Sequence, residues 1–186
     1  MPIRLETSRL LLRDFAPDDA ESLYQLDHDP RVMEFLGPYV LDSVEAYGAR
    51  IATSYAAYAA RTDGLGLWAL ADQDSGRFLG WVCLRPAREY RFAKEAGFSA
   101  TDAELGYRLR SDAWNHGYAT EASRALIHDG FTRWAVPRVV AAALETNRRS
   151  LRVLEKCGMK RTGWFQLPGF DSVSARYELQ KSELIL

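Results

Sequence analysis

The chain reads as one mixed α/β domain, a sheet with helices packed on it. Its 186 residues, 47% of them hydrophobic, are enough to bury a core without disulfide or metal staples. Short strand-like runs alternate with longer stretches of helical periodicity. One strand-like run, Glu104 to Arg110, stops at a polar turn from which Gly117 and Ala119 open a helical pattern. That order leaves a helix N-terminus beside a strand end, where unpaired N–H groups gather.

Leu10-Leu-Leu-Arg-Asp-Phe15 predicts a first strand. Pro17 then starts a helix with Asp18, Asp19 and Glu21 in its first turn, where the helix dipole favours anions. Leu23 and Leu26 lie three apart on it, and Asp29-Pro30 ends it. A second helix is expected from about Ser43 to Arg61, with Ala46, Tyr47, Ile51, Tyr55 and Tyr58 as its stripe and Gly64 as its breaker. Residues 65–71 and 77–84 predict a hairpin turned by Asp72-Gln-Asp-Ser-Gly76. A charged loop over 85–101 leads to the Glu104–Arg110 strand. The next helix spans roughly Tyr118 to Trp134, with Ala122, Leu126, Ile127, Phe131 and Trp134 on its apolar face. After Pro137, the unbroken apolar run ending at Leu144 suits a strand covered on both faces. Asn147 caps a short helix with Leu151 and Leu154 inward and Gly158 just past its end. Residues 159–165 and 173–179 finish as strands.

Charge and cysteine usage exclude several classes. Acidic residues number 25 and basic residues 24, so no general affinity for nucleic acid is expected. Basic residues do gather at Arg148, Arg149, Arg152, Lys156, Lys160 and Arg161. They read first as a solvated helix face and second as a phosphate-attracting patch. Cys83 lies in an apolar run and Cys157 at a helix end, so both read as structural. The three histidines show no metal-ligand spacing, and no metal is expected. The N-terminus has no signal-peptide pattern and no stretch reaches membrane-span length, so a cytoplasmic protein without a membrane partner is expected.

The turn Trp114-Asn-His-Gly-Tyr-Ala119 has the chemistry of an anion cradle, with small residues and free amides at a helix start. Alone it equally describes a plain strand-to-helix turn. It lacks the lysine of a P-loop and the triple glycine of a dinucleotide fingerprint. About thirty residues on comes Asn147-Arg-Arg-Ser-Leu-Arg-Val-Leu-Glu-Lys-Cys-Gly-Met159. With Glu104-Leu-Gly-Tyr107, the Gly-Tyr-Ala-Thr-Glu-Ala helix start and Thr7-Ser-Arg-Leu-Leu-Leu-Arg13, the chain resembles the GNAT superfamily of acetyl-CoA-dependent N-acetyltransferases, in its RimJ/RimL-like branch.

The resemblance implies a central, mostly antiparallel twisted sheet of about seven strands with one splayed pair, flanked by about four helices. It implies acetyl-CoA as co-substrate. The family's pyrophosphate turn falls on Trp114, Asn115, His116, Gly117, Tyr118 and Ala119, with Thr120 following. The chain departs from the usual pattern at Trp114, Asn115 and His116, where the family more often carries cations and glycine. Tyr107, Arg108 and Leu109 would lend backbone groups to the pantetheine arm. Asn147 would contact the same arm while also capping its helix. Ser150 reads either as a first-turn serine with a local hydrogen bond or as a proton donor to the departing sulfur.

Acetyl transfer to an amine requires the neutral amine, although α-amino groups titrate near about 8 and alkylamines near about 10. A carboxylate, directly or through water, takes that proton. Glu104 is the first candidate, with a solvent-facing strand carboxylate as the alternative. Asp171 is the second, with turn formation as its alternative. Phe35 and Tyr39 stand where the family builds its acceptor wall, with Trp164 opposite. Glu21, Asp27, Asp29, Glu34 and Asp42 cluster near that wall, a mild pointer to a cationic amine against the plainer reading of ordinary surface charge.

The leading function is transfer to a primary amine, a peptide N-terminus or a small molecule, by direct attack in a ternary complex, with no acetyl-cysteine intermediate. The alternative is a non-catalytic acyl-CoA-binding sensor or interaction module. Monomer and homodimer both remain open.

Overall fold

The computed structural model describes residues 3–36, 40–169 and 171–184. Eight strands form one sheet: β1 (Ile3–Glu6), β2 (Leu10–Arg13), β3 (Gly66–Asp72), β4 (Phe78–Pro86), β5 (Ala103–Leu109), β6 (Arg138–Leu144), β7 (Lys160–Gln166) and β8 (Val173–Gln180). Their order is β1-β2-β3-β4-β5-β6-β8-β7, and every neighbouring pair is antiparallel except β5–β6. The mostly antiparallel mixed sheet is the expected one, with eight strands in place of about seven. The added strand is β1, whose four residues are too few to show an alternation in sequence.

Helix α1 (Asp19–His28) ends at Asp29 as expected. Pro30 then opens a further one-turn helix, α2 (Pro30–Met33), because Asp29 accepts from the Arg31 N–H and proline suits a first helical position. The expected second helix is interrupted. It runs as α3 (Val44–Arg50), a π turn (Ile51–Tyr55) and α4 (Ala56–Ala59). Tyr47, Ile51 and Tyr55 recur every four residues, more than an α-helix turn holds, and the wider turn keeps them on one side. Tyr47 and Ile51 are buried, and Tyr55 meets Phe15 with ring centroids 4.5 Å apart. Helix α5 (Tyr118–Thr132) stops short of Trp134. Ala135 takes φ 52° and the Val136 N–H returns to the Gly130 carbonyl at 2.9 Å. Helix α6 (Arg148–Lys156) has its N-cap at Asn147 and Gly158 in the left-handed region just past it.

The two faces of the sheet carry separate cores. Leu126, Ile127 and Phe131 of α5 and Leu151 and Leu154 of α6 pack on one face with Leu12, Leu70 and Leu105. Leu23 and Leu26 of α1 and Tyr47 of α3 pack on the other with Ala69 and Phe78. Burial of these side chains stabilises both layers against the sheet, at roughly 25 cal/mol per Å2 of apolar area removed from water.

Strands β5 and β6 are in register only at Ala103↔Val139 and Glu104↔Val140. Beyond that point β5 continues with β4 as far as Gly80↔Leu109, and β6 continues with β8 as far as Leu144↔Ser174. The parallel pair therefore splays, and a gap opens beside 105–109. Gly80 permits the tight β4–β5 approach: it takes φ 144°, and a Cβ there would lie 2.1 Å from the Arg108 carbonyl oxygen.

Candidate functional site

Along β5, successive side chains turn to opposite faces. Glu104, Gly106 and Arg108 face the α1 side, where the Arg108 guanidinium pairs with Asp27. Leu105, Tyr107 and Leu109 face α5 and α6, where Tyr107 meets Ser150. A cavity of about 590 Å3 opens at the gap and is lined from both faces. One end holds Asn115, Gly117, Asn147 and Ser150; the other holds Phe35, Trp81, Arg85 and Glu104.

The first end is a helix start without a side-chain cap. Gly117 is the N-cap of α5 at φ 82°, and Asn115 is also left-handed at φ 64°. The first closing bond of the helix runs from the Glu121 N–H to the Gly117 carbonyl at 3.0 Å. The N–H groups of Tyr118, Ala119 and Thr120 therefore precede any intrahelical acceptor, and all three residues line the cavity. Oriented free amides and the positive end of a fifteen-residue helix suit a phosphate. The residues fit a pyrophosphate-bearing ligand. Arg149, Arg152 and Lys156 of α6 also line this end, so half of the basic cluster is exposed helix face and cavity rim at once. Arg149 lies 4.8 Å over the Trp114 ring, whose Nε1 donates to the Leu109 carbonyl at 2.9 Å. Trp114 thus ties the turn to β5.

His116 stands apart from the lining. It is exposed, its Nδ1 is 2.8 Å from the Trp114 carbonyl, and its own carbonyl accepts from Arg9 at 3.0 Å. Arg9 belongs to a clamp that sequence reading missed. Glu121 Oε1 accepts from the Thr7 hydroxyl at 2.6 Å, the Ser8 hydroxyl at 3.1 Å and the Arg9 N–H at 3.1 Å. Its Oε2 accepts from Arg9 Nε at 2.8 Å, and the Arg9 guanidinium lies 4.9 Å over the Tyr118 ring. The Thr7-Ser-Arg9 segment holds the turn from behind.

Asn147 Oδ1 accepts from the Ser150 N–H at 3.1 Å, the predicted cap. The Tyr107 hydroxyl donates to the Ser150 carbonyl at 3.1 Å and lies 2.9 Å from Ser150 Oγ. Burial lifts this phenol well above the ordinary tyrosine range, so it stays a neutral donor. The side chain of Tyr107, not only its backbone, enters the site. The Leu109 carbonyl is turned to Trp114, and by strand alternation the backbone groups of Tyr107 and Leu105 share that outward side. The same alternation turns the Arg108 backbone to β4, as the Arg110 N–H turns to the Leu79 carbonyl at 2.9 Å, which corrects the expectation that Arg108 lends backbone groups to the arm.

At the other end Glu104 is 5% exposed, which corrects the solvent-facing alternative. Its Oε2 accepts from Arg85 Nε at 2.7 Å, with the Cys83 thiol donating from 3.8 Å. Burial pushes that thiol up to about 12, and pushes the Cys157 thiol up to about 11. Phe35 lines the cavity. Tyr39 lies outside the described residues. Trp164 is 45% exposed beneath Arg161 and Asp171 is exposed; neither is among the lining residues. The acidic mouth is also corrected. None of Glu21, Asp27, Asp29, Glu34 or Asp42 lines the cavity. Asp27 is buried against Arg108 and the Tyr47 hydroxyl, and Asp29 pairs with Arg31. Among the described residues, no group of three or more His, Cys, Asp or Glu gathers to hold a metal, and no helix is long and apolar enough to cross a membrane.

The family model of the acetyltransferase (GNAT) domain matches residues 9–160. Among curated proteins, the chain is 27% identical over 191 residues to an FsC-acetyl coenzyme A-N(2)-transacetylase of Aspergillus fumigatus, covering 96% of this chain and 77% of that one. Among solved structures, a GNAT-family acetyltransferase from Bacillus anthracis superposes with a TM-score of 0.78 at 24% identity, over 98% of this chain and 100% of that one. A spermidine N-acetyltransferase from Vibrio cholerae, in complex with CoA and spermine, gives 0.71 at 16% identity over 95% and 98%.

Proposed function

The chain belongs to the GNAT acetyltransferase family, and from that premise we propose that it moves an acetyl group from acetyl-CoA to a primary amine by direct attack in a ternary complex. The observation that carries this is the uncapped, doubly left-handed turn at Asn115–Gly117 opening into a gap that ends at Glu104. Acetyl-CoA supplies an activated acyl thioester there. The amides of Tyr118, Ala119 and Thr120 hold its pyrophosphate, with Arg149, Arg152 and Lys156 supplying the cations that His116 does not. Backbone groups of Tyr107 and the Leu109 N–H orient its arm along the open edge of β5.

Glu104 takes the proton from the amine, directly or through water, so that nitrogen attacks with a free pair. The Tyr107–Ser150 pair returns a proton to the sulfur as the carbon–sulfur bond breaks. The buried thiols support attack without an acetyl-cysteine stage, since burial raises both Cys83 and Cys157 well above neutral pH.

A thiol-release screen with acetyl-CoA against small amines and peptides tests the reading. Glu104→Gln is expected to lower the rate and flatten its pH profile while acetyl-CoA still binds. Turnover that vanishes on Cys83→Ala, with folding and acetyl-CoA binding kept, refutes direct attack. CoA binding with no release from any amine favours the sensor alternative.

A further inference from the structure

Arg85 and Glu104 face each other across β4 and β5 as direct register partners, and each is only half used. Arg85 gives its Nε to Glu104 Oε2. Among the described residues, nothing hydrogen-bonds Arg85 Nη1, Arg85 Nη2 or Glu104 Oε1. Nor are these atoms sealed in protein, because among the described residues the buried side-chain atoms without partners are Arg108 Nε, Ser123 Oγ and Ser174 Oγ. Both residues line the cavity, side by side as cross-strand partners.

The charges around them are already matched. Arg108 pairs with Asp27. Glu89 accepts from the Tyr58 hydroxyl at 2.5 Å and pairs with Arg61. Arg31 pairs with Asp29. Arg91 also lines the cavity and lies 5.2 Å over the Phe92 ring. Arg85 and Glu104 together offer a ligand a cationic fork and an anionic oxygen within the roughly 5 Å that separates cross-strand side-chain roots. A guanidinium stays charged and grips carboxylate through two parallel N–H bonds.

We infer that the acceptor is a small amine carrying its own carboxylate one to three carbons away, an amino-acid-like molecule whose carboxylate is held by Arg85 while its amine meets Glu104. This rests on the transferase reading and names the acceptor class within it. A peptide N-terminus replaces that carboxylate by an amide and leaves the fork without an anion. A polyamine turns a second cation toward Arg85. Phe35, Trp81, Tyr90 and Phe92 line the same end and give the acceptor side chain an apolar wall.

The test uses the full chain with matched acceptors: free amino acids, their carboxamides, and peptides with the same first residue. CoA release is read as kcat/KM, and calorimetry with CoA present reads acceptor binding without turnover. Free acids are expected to exceed their carboxamides about 10- to 100-fold in one or both readouts, the value of hydrogen bonds to a charged group. Arg85→Gln collapses that ratio toward one, and Arg85→Lys restores part of it; acetyl-CoA binding and thermal melting confirm that each variant folds. Carboxamides or peptides equal to or better than free acids in the native protein overturn the inference. So does an acid-to-amide ratio that survives Arg85→Gln. If no acceptor releases CoA, the transferase reading fails, and the calorimetric ratio still decides the carboxylate site.

Discussion

Glu121→Gln separates the clamp behind the turn from the turn itself. The substitution keeps shape and leaves one amide oxygen for the three donors of Thr7, Ser8 and the Arg9 backbone. The new NH2 group then faces Arg9 Nε and Nη2, which stand 2.8 and 2.6 Å from the native Oε2, donor against donor. Arg9 is 47% exposed and Glu121 18% exposed, so the ion pair itself contributes about 1 kcal/mol at most. A charge-assisted hydrogen bond adds about 1 kcal/mol more after screening. The expected loss is about 2 kcal/mol, or about 4–8 °C in Tm for a chain of this size. Because Arg9 also holds the His116 carbonyl, acetyl-CoA should bind about fivefold more weakly, a shift near 1 kcal/mol. Urea unfolding and calorimetry measure both. Burial opposes the Glu121 charge, but Thr7, Arg9 and Ser8 outweigh it and hold the carboxyl below its usual range. A depressed carboxyl stabilises above its unfolded pKa of about 4.3 and loses that contribution as pH falls through the folded value. The native-to-Gln difference should therefore shrink below about pH 4. A loss under about 0.5 kcal/mol, or an equal loss in an Arg9→Met background, refutes the clamp.

Other predictions follow from single contacts. Asn147→Ala should cost about 1 kcal/mol by removing the α6 cap, read by thermal melting, with Asn147→Asp close to native. Tyr107→Phe and Ser150→Ala should each lower kcat about tenfold and the double variant scarcely more, because they act as one unit; additive losses contradict a shared proton donor. Both thiols should resist a disulfide reagent at pH 8 in the folded protein and react at once in denaturant. The Arg31 guanidinium, with Ser111 and the Arg31 N–H, holds the Asp29 carboxyl at about 2. Its carbon resonance should therefore stay ionised down to about pH 3, and the α2 cap should weaken only below that; a midpoint near 4 contradicts the pairing.

What sequence conveyed well was whatever rests on period and punctuation. The β6 strand, the Asn147 cap and the Gly117 turn were legible because apolar runs, cap residues and glycine act locally. Strand β1 was not, being four residues held by pairing with β2. Nor was the π turn at Ile51–Tyr55, which satisfies a stripe that single-period reading treats as plain helix. At the site, Glu104 stood out by residue type, but its partner lies nineteen residues away across a hairpin register. The Asp27–Arg108 pair spans 81 residues, which is why an acidic cluster in sequence vanished as a charged mouth in space.

Strand β5 divides its labour by parity. Even positions, Glu104, Gly106 and Arg108, look toward the α1 side, and odd positions, Leu105, Tyr107 and Leu109, look toward α5 and α6; in the proposed function the first side serves the acceptor and the second the acyl donor. The two jobs share a backbone yet do not share a side chain. A change at Glu104 would alter the acceptor side and leave the odd side chains in place, whereas Gly106 has no room for a Cβ, which would lie 2.9 Å from Cys83 Sγ, and Arg108 is held by the buried Asp27. Insertion or loss of a single residue is the change this strand does not tolerate, since it would exchange the two sets at a stroke.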